Sequence, residues 1–203
     1  LYEFDRPASG NFTAYNEALK FFQDFKTDKP KNSKVVLKIS SPDALHKTDL
    51  KGVFLNIETE DTFQSAWENL EQSIEISGFK DASIQIQEQI EKSTEVILGI
   101  NTDPTFGKVL LFGSGGIYTE VMQDTAIGLI PVRSFEGMLD QTKIGRILRG
   151  VRGEDPKAVE PLIAVMQKIE QLVIDFPMIS SIDANPVLVT NDRAVCVDFK
   201  IIL

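Results

Sequence analysis

Cysteine and histidine occur once each, as Cys196 and His46, in a chain of 203 residues. A single thiol excludes an intrachain disulfide framework and any cysteine-rich zinc site. A single imidazole allows a Ser-His-Asp arrangement only through His46, and no G-x-S-x-G elbow accompanies it. Long apolar runs are missing too. Stretches such as 96–100 and 109–112 are strand-sized, far short of the roughly 20 residues that cross a bilayer as a helix. Positive charge is scarce: 21 Lys and Arg stand against 30 Asp and Glu, a net charge of −9. The sequence pI near 4.7 argues against nucleic acid and membrane as partners, because both present anionic surfaces that demand a basic one. No repeat, low-complexity tract or signal peptide stands out, and the single thiol fits a cytoplasmic protein. The chain begins at Leu1 rather than Met, so a piece of a longer protein is expected.

What is present suits a folded domain: 42% hydrophobic and 25% charged residues. Apolar residues at 15, 18, 19, 22 and 25 predict a helix over 12–25. Strands are predicted over 35–39 and 53–57. A helix capped by Asp61 or Thr62 follows, with Phe63, Ala66, Trp67, Leu70 and Ile74 on one face and Gly78 at its end. Strands at 84–90, 95–100, 108–112, 117–122 and 127–132 come next, then short helical pieces at 135–139 and 144–148. Asp155-Pro156 opens the most regular helix, with Val159, Leu162, Ile163, Met166, Ile169, Val173 and Phe176 on one face and Pro177 as its stop. Strands at 182–189 and 194–202 close the chain. The order is mixed α+β with largely antiparallel strands, not the strict βαβα of a doubly wound sheet.

Five features carry possible chemistry. If Asn191-Asp192 is a two-residue turn, Asn185 faces Asp198 across the terminal hairpin, and Asp183 faces Lys200. Directly opposed residues have Cβ atoms about 4.5–5.5 Å apart, close enough for an amide oxygen and a carboxylate to share a hard cation such as Mg²⁺. A solvated polar pair on an exposed sheet face is the plain alternative. Glu88 falls on the apolar side of its strand with Ile84, Ile86 and Ile90, so either the strand ends there or the carboxylate has a task. Lys38 lies inside an apolar strand, either snorkelling from an edge or aimed at an anion. The glycine run 113–116 could bring backbone N–H groups to a phosphate or be an ordinary turn. His46, in Ala44-Leu45-His46-Lys47-Thr48-Asp49, could be a base, a phosphoryl acceptor or a passenger.

These pieces, in this order, resemble the ATP-grasp domain of ADP-forming acyl-CoA synthetases (acetate–CoA ligase, ADP-forming). The segments carrying the resemblance are Val35-Val36-Leu37-Lys38-Ile39-Ser40-Ser41-Pro42 with Leu45-His46-Lys47-Thr48-Asp49, then Phe112-Gly113-Ser114-Gly115-Gly116-Ile117, Gly150-Val151-Arg152-Gly153, and Ile182-Asp183-Ala184-Asn185-Pro186 with Val197-Asp198. The likeness covers about residues 17–203. That domain is the β subunit of two-chain members, the C-terminal part of fused ones, and a relative of the succinyl-CoA synthetase β chain. The resemblance implies an α+β ATP-grasp fold of two lobes, 1–90 and 91–203, with ATP or ADP and Mg²⁺ in the cleft between them. It implies Lys38 on nucleotide phosphates, Gln87, Glu88 and Gln89 as the hinge whose backbone meets adenine, and Glu95 toward the ribose. It implies Asn185 and Asp198 as Mg²⁺ ligands, and His46, with Lys47 and Asp49 beside it, as a transient phosphohistidine. The implied partner is a CoA-binding domain or α subunit. Two other readings stay open: a regulatory ATP-binding module of a fused protein acetyltransferase, and an interaction domain that has lost ATP.

Overall fold

The computed structural model describes residues 2–30, 32–42, 52–115, 124–151, 153 and 155–203. The chain divides into two compact units, Pro7–Gln89 and Leu1–Arg6 with Ile90–Leu203.

In the N-terminal unit, strands β1 (Ser9–Phe12), β2 (Val35–Ser40), β3 (Val53–Ile57) and β4 (Ser83–Glu88) form an antiparallel sheet ordered β1-β4-β2-β3. Helices α1 (Tyr15–Asp28) and α2 (Glu60–Ser77) cover one face. Alternation explains that face: Val35, Leu37 and Ile39 on β2 and Ile84 and Ile86 on β4 are buried against Phe22, Phe63, Trp67 and Leu70. Phe22 stacks on Phe63 with ring centroids 4.8 Å apart. The helix expected from Asp61 or Thr62 starts earlier. Thr59 is the cap, and its side chain and that of Thr62 serve each other's backbone N–H groups as a capping box. Gly78 ends α2 in the left-handed region at φ 65°, where a residue without Cβ carries no steric penalty.

The C-terminal unit holds a six-stranded sheet. Strands β5 (Thr94–Asp103), β6 (Gly107–Ser114), β7 (Thr125–Leu129), β8 (Ser181–Val189) and β10 (Phe199–Ile202) run in the order β10-β8-β5-β6-β7, and β9 (Ala194–Cys196) also pairs with β8. Helices α3 (Phe135–Asp140), α4 (Lys143–Leu148) and α5 (Val159–Asp175) pack on one side of it. Leu162, Met166, Ile169 and Val173 of α5 meet Val96, Leu98, Ile100, Leu110 and Phe112 in the core. Asp155-Pro156 precedes α5 rather than opening it: the Lys157 and Ala158 N–H groups donate to the Leu148 and Thr190 carbonyls at 2.7 and 2.8 Å, so these residues are held by neighbouring elements. At the other end Lys108 Nζ donates to the carbonyls of Pro177 and Ile179 at 2.9 and 2.6 Å, beside the α5 C-terminus, where a cation suits the helix dipole.

The expected last strand is broken into β9 and β10 around 197–198, yet its register with β8 is continuous. The first residues run with this unit. Phe4 packs on Phe199 with centroids 5.0 Å apart, and the Cys196 N–H donates to the Asp5 carbonyl at 2.8 Å. The strand expected at 117–122 lies outside the described residues.

Candidate functional site

Among the described residues each sheet has a face that no helix covers, and the sequence-predicted site residues that the structure describes lie on or beside these two faces.

On the C-terminal unit the terminal hairpin has the expected geometry. The Thr190 N–H donates to the Arg193 carbonyl at 2.9 Å, closing a two-residue Asn191-Asp192 turn. Val187 faces Cys196 and Asp183 faces Lys200, with the same register on both sides of the break. Between them the Asn185 N–H donates to the Asp198 carbonyl at 3.2 Å, so these two residues oppose each other. Ala184 and Val187 are both buried although three residues apart, because β8 bulges against β5 at Asn185-Pro186. Asp183, Asn185, Asp198 and Lys200 are exposed on one face. Partial burial, and then the nearby Asp198 carboxylate, push the Asp183 carboxyl above its ordinary value, while Lys200 pulls it down. Among the described residues no three His, Cys, Asp or Glu side chains converge as a metal cage. The amide-plus-carboxylate set is instead the sparse, hard-oxygen kind that fits Mg²⁺, which keeps room for phosphate and water. Glu95, at the start of β5, is exposed on the same sheet's free face.

The glycine run is structural where it is described. A Cβ on Gly113 would lie 2.7 Å from the Asp124 carbonyl oxygen, and one on Gly115 would lie 2.9 Å from the Glu95 backbone. The Ser114 and Gly115 N–H groups donate to the Asp124 and Glu95 carbonyls at 3.2 and 3.0 Å, so neither is aimed at an anion.

On the N-terminal unit Lys38 stands on the free face of β2, in a cross-strand row with Asn11, Gln85 and Val53. It is only 8% exposed, and Gln87 of the next row is 5% exposed. A buried ammonium interacts more strongly with an anion than a solvated one, because little water screens it. Strand β4 ends at Glu88, which resolves the sequence ambiguity: its carboxylate takes the Lys29 ammonium at 3.0 Å and faces the Ala8 N–H at 3.4 Å. The Gln89 side chain accepts from the Asn56 N–H at 2.7 Å and donates to Asn56 Oδ1 at 3.0 Å. Asn56 was not singled out from sequence. It sits at φ 60°, a left-handed conformation inside a strand. His46, Lys47 and Asp49 lie outside the described residues.

These two α+β units, each an antiparallel sheet with helices on one face, are the architecture of an ATP-grasp protein. A family model described as "ATP-grasp domain" matches residues 2–203, and the chain belongs to that family. It is 34% identical over 200 residues to the acetate–CoA ligase [ADP-forming] II subunit beta of Pyrococcus furiosus, covering 93% of this chain and 80% of that one. It is also 34% identical over 173 residues to the acetate–CoA ligase [ADP-forming] I of Archaeoglobus fulgidus, 83% of this chain but only 25% of that protein. The chain thus corresponds to most of a β subunit and about a quarter of a fused ligase. Among solved structures, the dinucleotide-forming acetyl-coenzyme A synthetase 1 of Ca. Korarchaeum cryptofilum, in complex with coenzyme A, Ca-AMPCP and HgCl⁺, superposes with TM-score 0.88 at 27% identity, covering 100% of this chain and 87% of that one. The same enzyme with coenzyme A and Mg-AMPPCP, its phosphohistidine segment pointing towards the nucleotide-binding site, gives TM-score 0.80 at 27% identity, with 100% and 86% covered.

Proposed function

We propose that this chain is the nucleotide-binding, phosphoryl-transfer part of an ADP-forming acyl-CoA synthetase, whose whole reaction is acyl-CoA + ADP + phosphate ⇌ carboxylic acid + CoA + ATP. The observation that carries the reading is the facing Asn185–Asp198 pair on the free face of the C-terminal sheet. Asn185 and Asp198 would hold Mg²⁺, which when bound neutralises nucleotide phosphate charge. Lys38 supplies a fixed ammonium to the phosphates from the other lobe. Backbone groups of Gln87, Glu88 and Gln89 meet the adenine, and Glu95 reaches the ribose hydroxyls. The lobes divide near Gln89-Ile90.

His46 is the phosphoryl carrier. In the ATP-forming direction the phosphorus–nitrogen bond of phosphohistidine breaks as an ADP β-phosphate oxygen forms the new phosphorus–oxygen bond, and the imidazole leaves as a neutral base. Phosphoryl transfer needs positioning and charge neutralisation more than covalent help. Lys47 contributes charge near the transferred group. Asp49 would orient the ring by accepting from its second nitrogen. The acyl and CoA chemistry belongs to a separate CoA-binding domain or α subunit, the partner of this chain in the cytoplasm.

Incubation with γ-labelled ATP and Mg²⁺ tests the reading. The chain should gain an acid-labile, base-stable label that His46→Ala abolishes. Mg-ATP binding without label would favour a regulatory ATP-binding module, and no binding by a folded chain would leave an interaction domain.

A further inference from the structure

The feature of the N-terminal unit that the proposed function does not use is the conformation of Asn56. It is one of three non-glycine residues with positive φ, and the only one of them inside a strand, among the described residues. Its strand departs from regular pairing there. Val35 of β2 pairs with Ile57, but Leu37 pairs with Phe54, so one more residue is used on β3 than on β2. This is a bulge with a left-handed residue, a position that usually falls to glycine.

The bulge decides which side chains of β3 face which way. Ile57 is buried and Phe54 packs against the same core, although they are three residues apart. In a regular strand residues three apart point to opposite faces. Leu55 and Asn56 are consecutive and both exposed, which is the cost of that phase change. Beyond the bulge, Val53 stands beside Lys38. Were the pairing at Val35–Ile57 continued without it, Phe54 would stand beside Lys38 instead, and the faces of the strand's first half would exchange.

The Gln89 side chain bridges the bulge. Gln89 accepts from the Asn56 N–H and donates to its Oδ1, at 2.7 and 3.0 Å. The N–H of Gln89 in turn donates to the Lys34 carbonyl at 2.9 Å, just before β2. The amide thus ties the last residue of the N-terminal unit to the misregistered point of β3.

We propose that Asn56 and Gln89 are a positioning pair for nucleotide binding: by clamping the β3 bulge they set the register that puts Val53, not Phe54, against Lys38, and so fix where the Lys38 ammonium is presented. The proposal rests on the reading of Lys38 as a phosphate contact. The plain alternative is that the bulge only guards β3, an edge strand, against pairing with other chains.

A substitution series at Asn56 in this chain separates these. Asn56→Asp keeps the acceptor and tolerates positive φ, and Asn56→Gly keeps the backbone and the N–H bond to Gln89. Asn56→Ala and Asn56→Val force a Cβ, then a branched one, into the left-handed region. Titration calorimetry with Mg-ADP should rank affinity as Asn ≈ Asp ≥ Gly > Ala > Val, with Val weakened about tenfold, a loss of about 1.4 kcal/mol. The contact between Lys38 and Val53 α-protons, read by NMR, should weaken in the same order. The order predicted by strand propensity is the reverse, Val best and Gly worst. That order, or equal affinities with only melting or aggregation altered, would overturn the proposal. If Val fails to fold, the Gly-to-Ala step still decides it. If the unsubstituted chain binds no Mg-ADP, the nucleotide reading has failed, and the NMR ranking alone still tests the clamp.

Discussion

The two sheets differ in what they present on the face that no described helix covers. Among the described residues the N-terminal sheet offers Lys38, 8% exposed, in a row with Asn11, Gln85 and Val53. The C-terminal sheet offers exposed oxygens: Asp183, Asn185 and Asp198, with Lys200 at the end of the row. A nucleotide's phosphates can be neutralised by a cation built into the protein or by one that arrives with the ligand. The buried ammonium suits the first role, because a fixed charge in low dielectric needs no reorganisation. The exposed amide and carboxylate suit the second, because Mg²⁺ gives up its waters reluctantly and prefers a site that leaves several in place. Each sheet carries a bulge close to these side chains, at Asn56 of β3 beside the Lys38 row and at Asn185-Pro186 of β8.

The contrast can be broken from either side. Asp198→Ala should weaken Mg-ADP binding by more than about 100-fold while leaving metal-free ADP binding nearly unchanged, since even outer partners of a metal site are worth 10–100-fold. Calorimetry with and without EDTA checks it. Lys38→Met should weaken both forms by about 10–100-fold, the worth of a hydrogen bond to a charged group, with little dependence on salt because the group is buried. Equal metal dependence in the two variants would erase the distinction between the lobes.

Stability sharpens the comparison. In the C-terminal unit a Cβ on Gly145 would lie 2.0 Å from the Leu139 carbonyl oxygen, whereas at Gly78 of the N-terminal unit it would meet nothing within 4 Å. Gly145→Ala should cost at least about 2–3 kcal/mol by overpacking, and Gly78→Ala about 1 kcal/mol through φ alone. Denaturant melts followed in each unit check both. The smallest effect concerns Cys196. Burial, then the Asp5 carboxylate, push its thiol up to about 12, with Lys168 opposing. The folded chain therefore keeps its proton beyond the pH of about 8.5 at which an unfolded thiol loses it. The stability that this contributes is intact below about pH 8.5 and falls as pH rises toward 12. Alkylation at pH 9 should be slow until denaturant is added.

Local chemistry made some of this legible in advance. The Asn191-Asp192 turn has a fixed length, so the facing of Asn185 and Asp198 could be read from the chain. Gly78 marked the end of α2, whereas Glu88 among isoleucines left two readings open in a strand expected over 84–90, and β4 ends at Glu88. Tertiary bonds hid the rest. The residues ahead of α5 are held by tertiary bonds, the Lys157 and Ala158 N–H groups on the Leu148 and Thr190 carbonyls. The pairing of Glu88 with Lys29, across 59 residues of chain, had no local signal. The bulge at Asn56 left only one trace, two core residues three apart in a strand, which is invisible until Phe54 and Ile57 are known to share a face.

The most direct test of the account is to follow the side-chain amide resonance of Asn185 while Mn-ADP, a paramagnetic stand-in for Mg-ADP, is added. The account predicts that this signal broadens away at substoichiometric metal and that Asp198→Ala restores it. An Asn185 amide that stays sharp while the chain demonstrably binds Mn-ADP would contradict it.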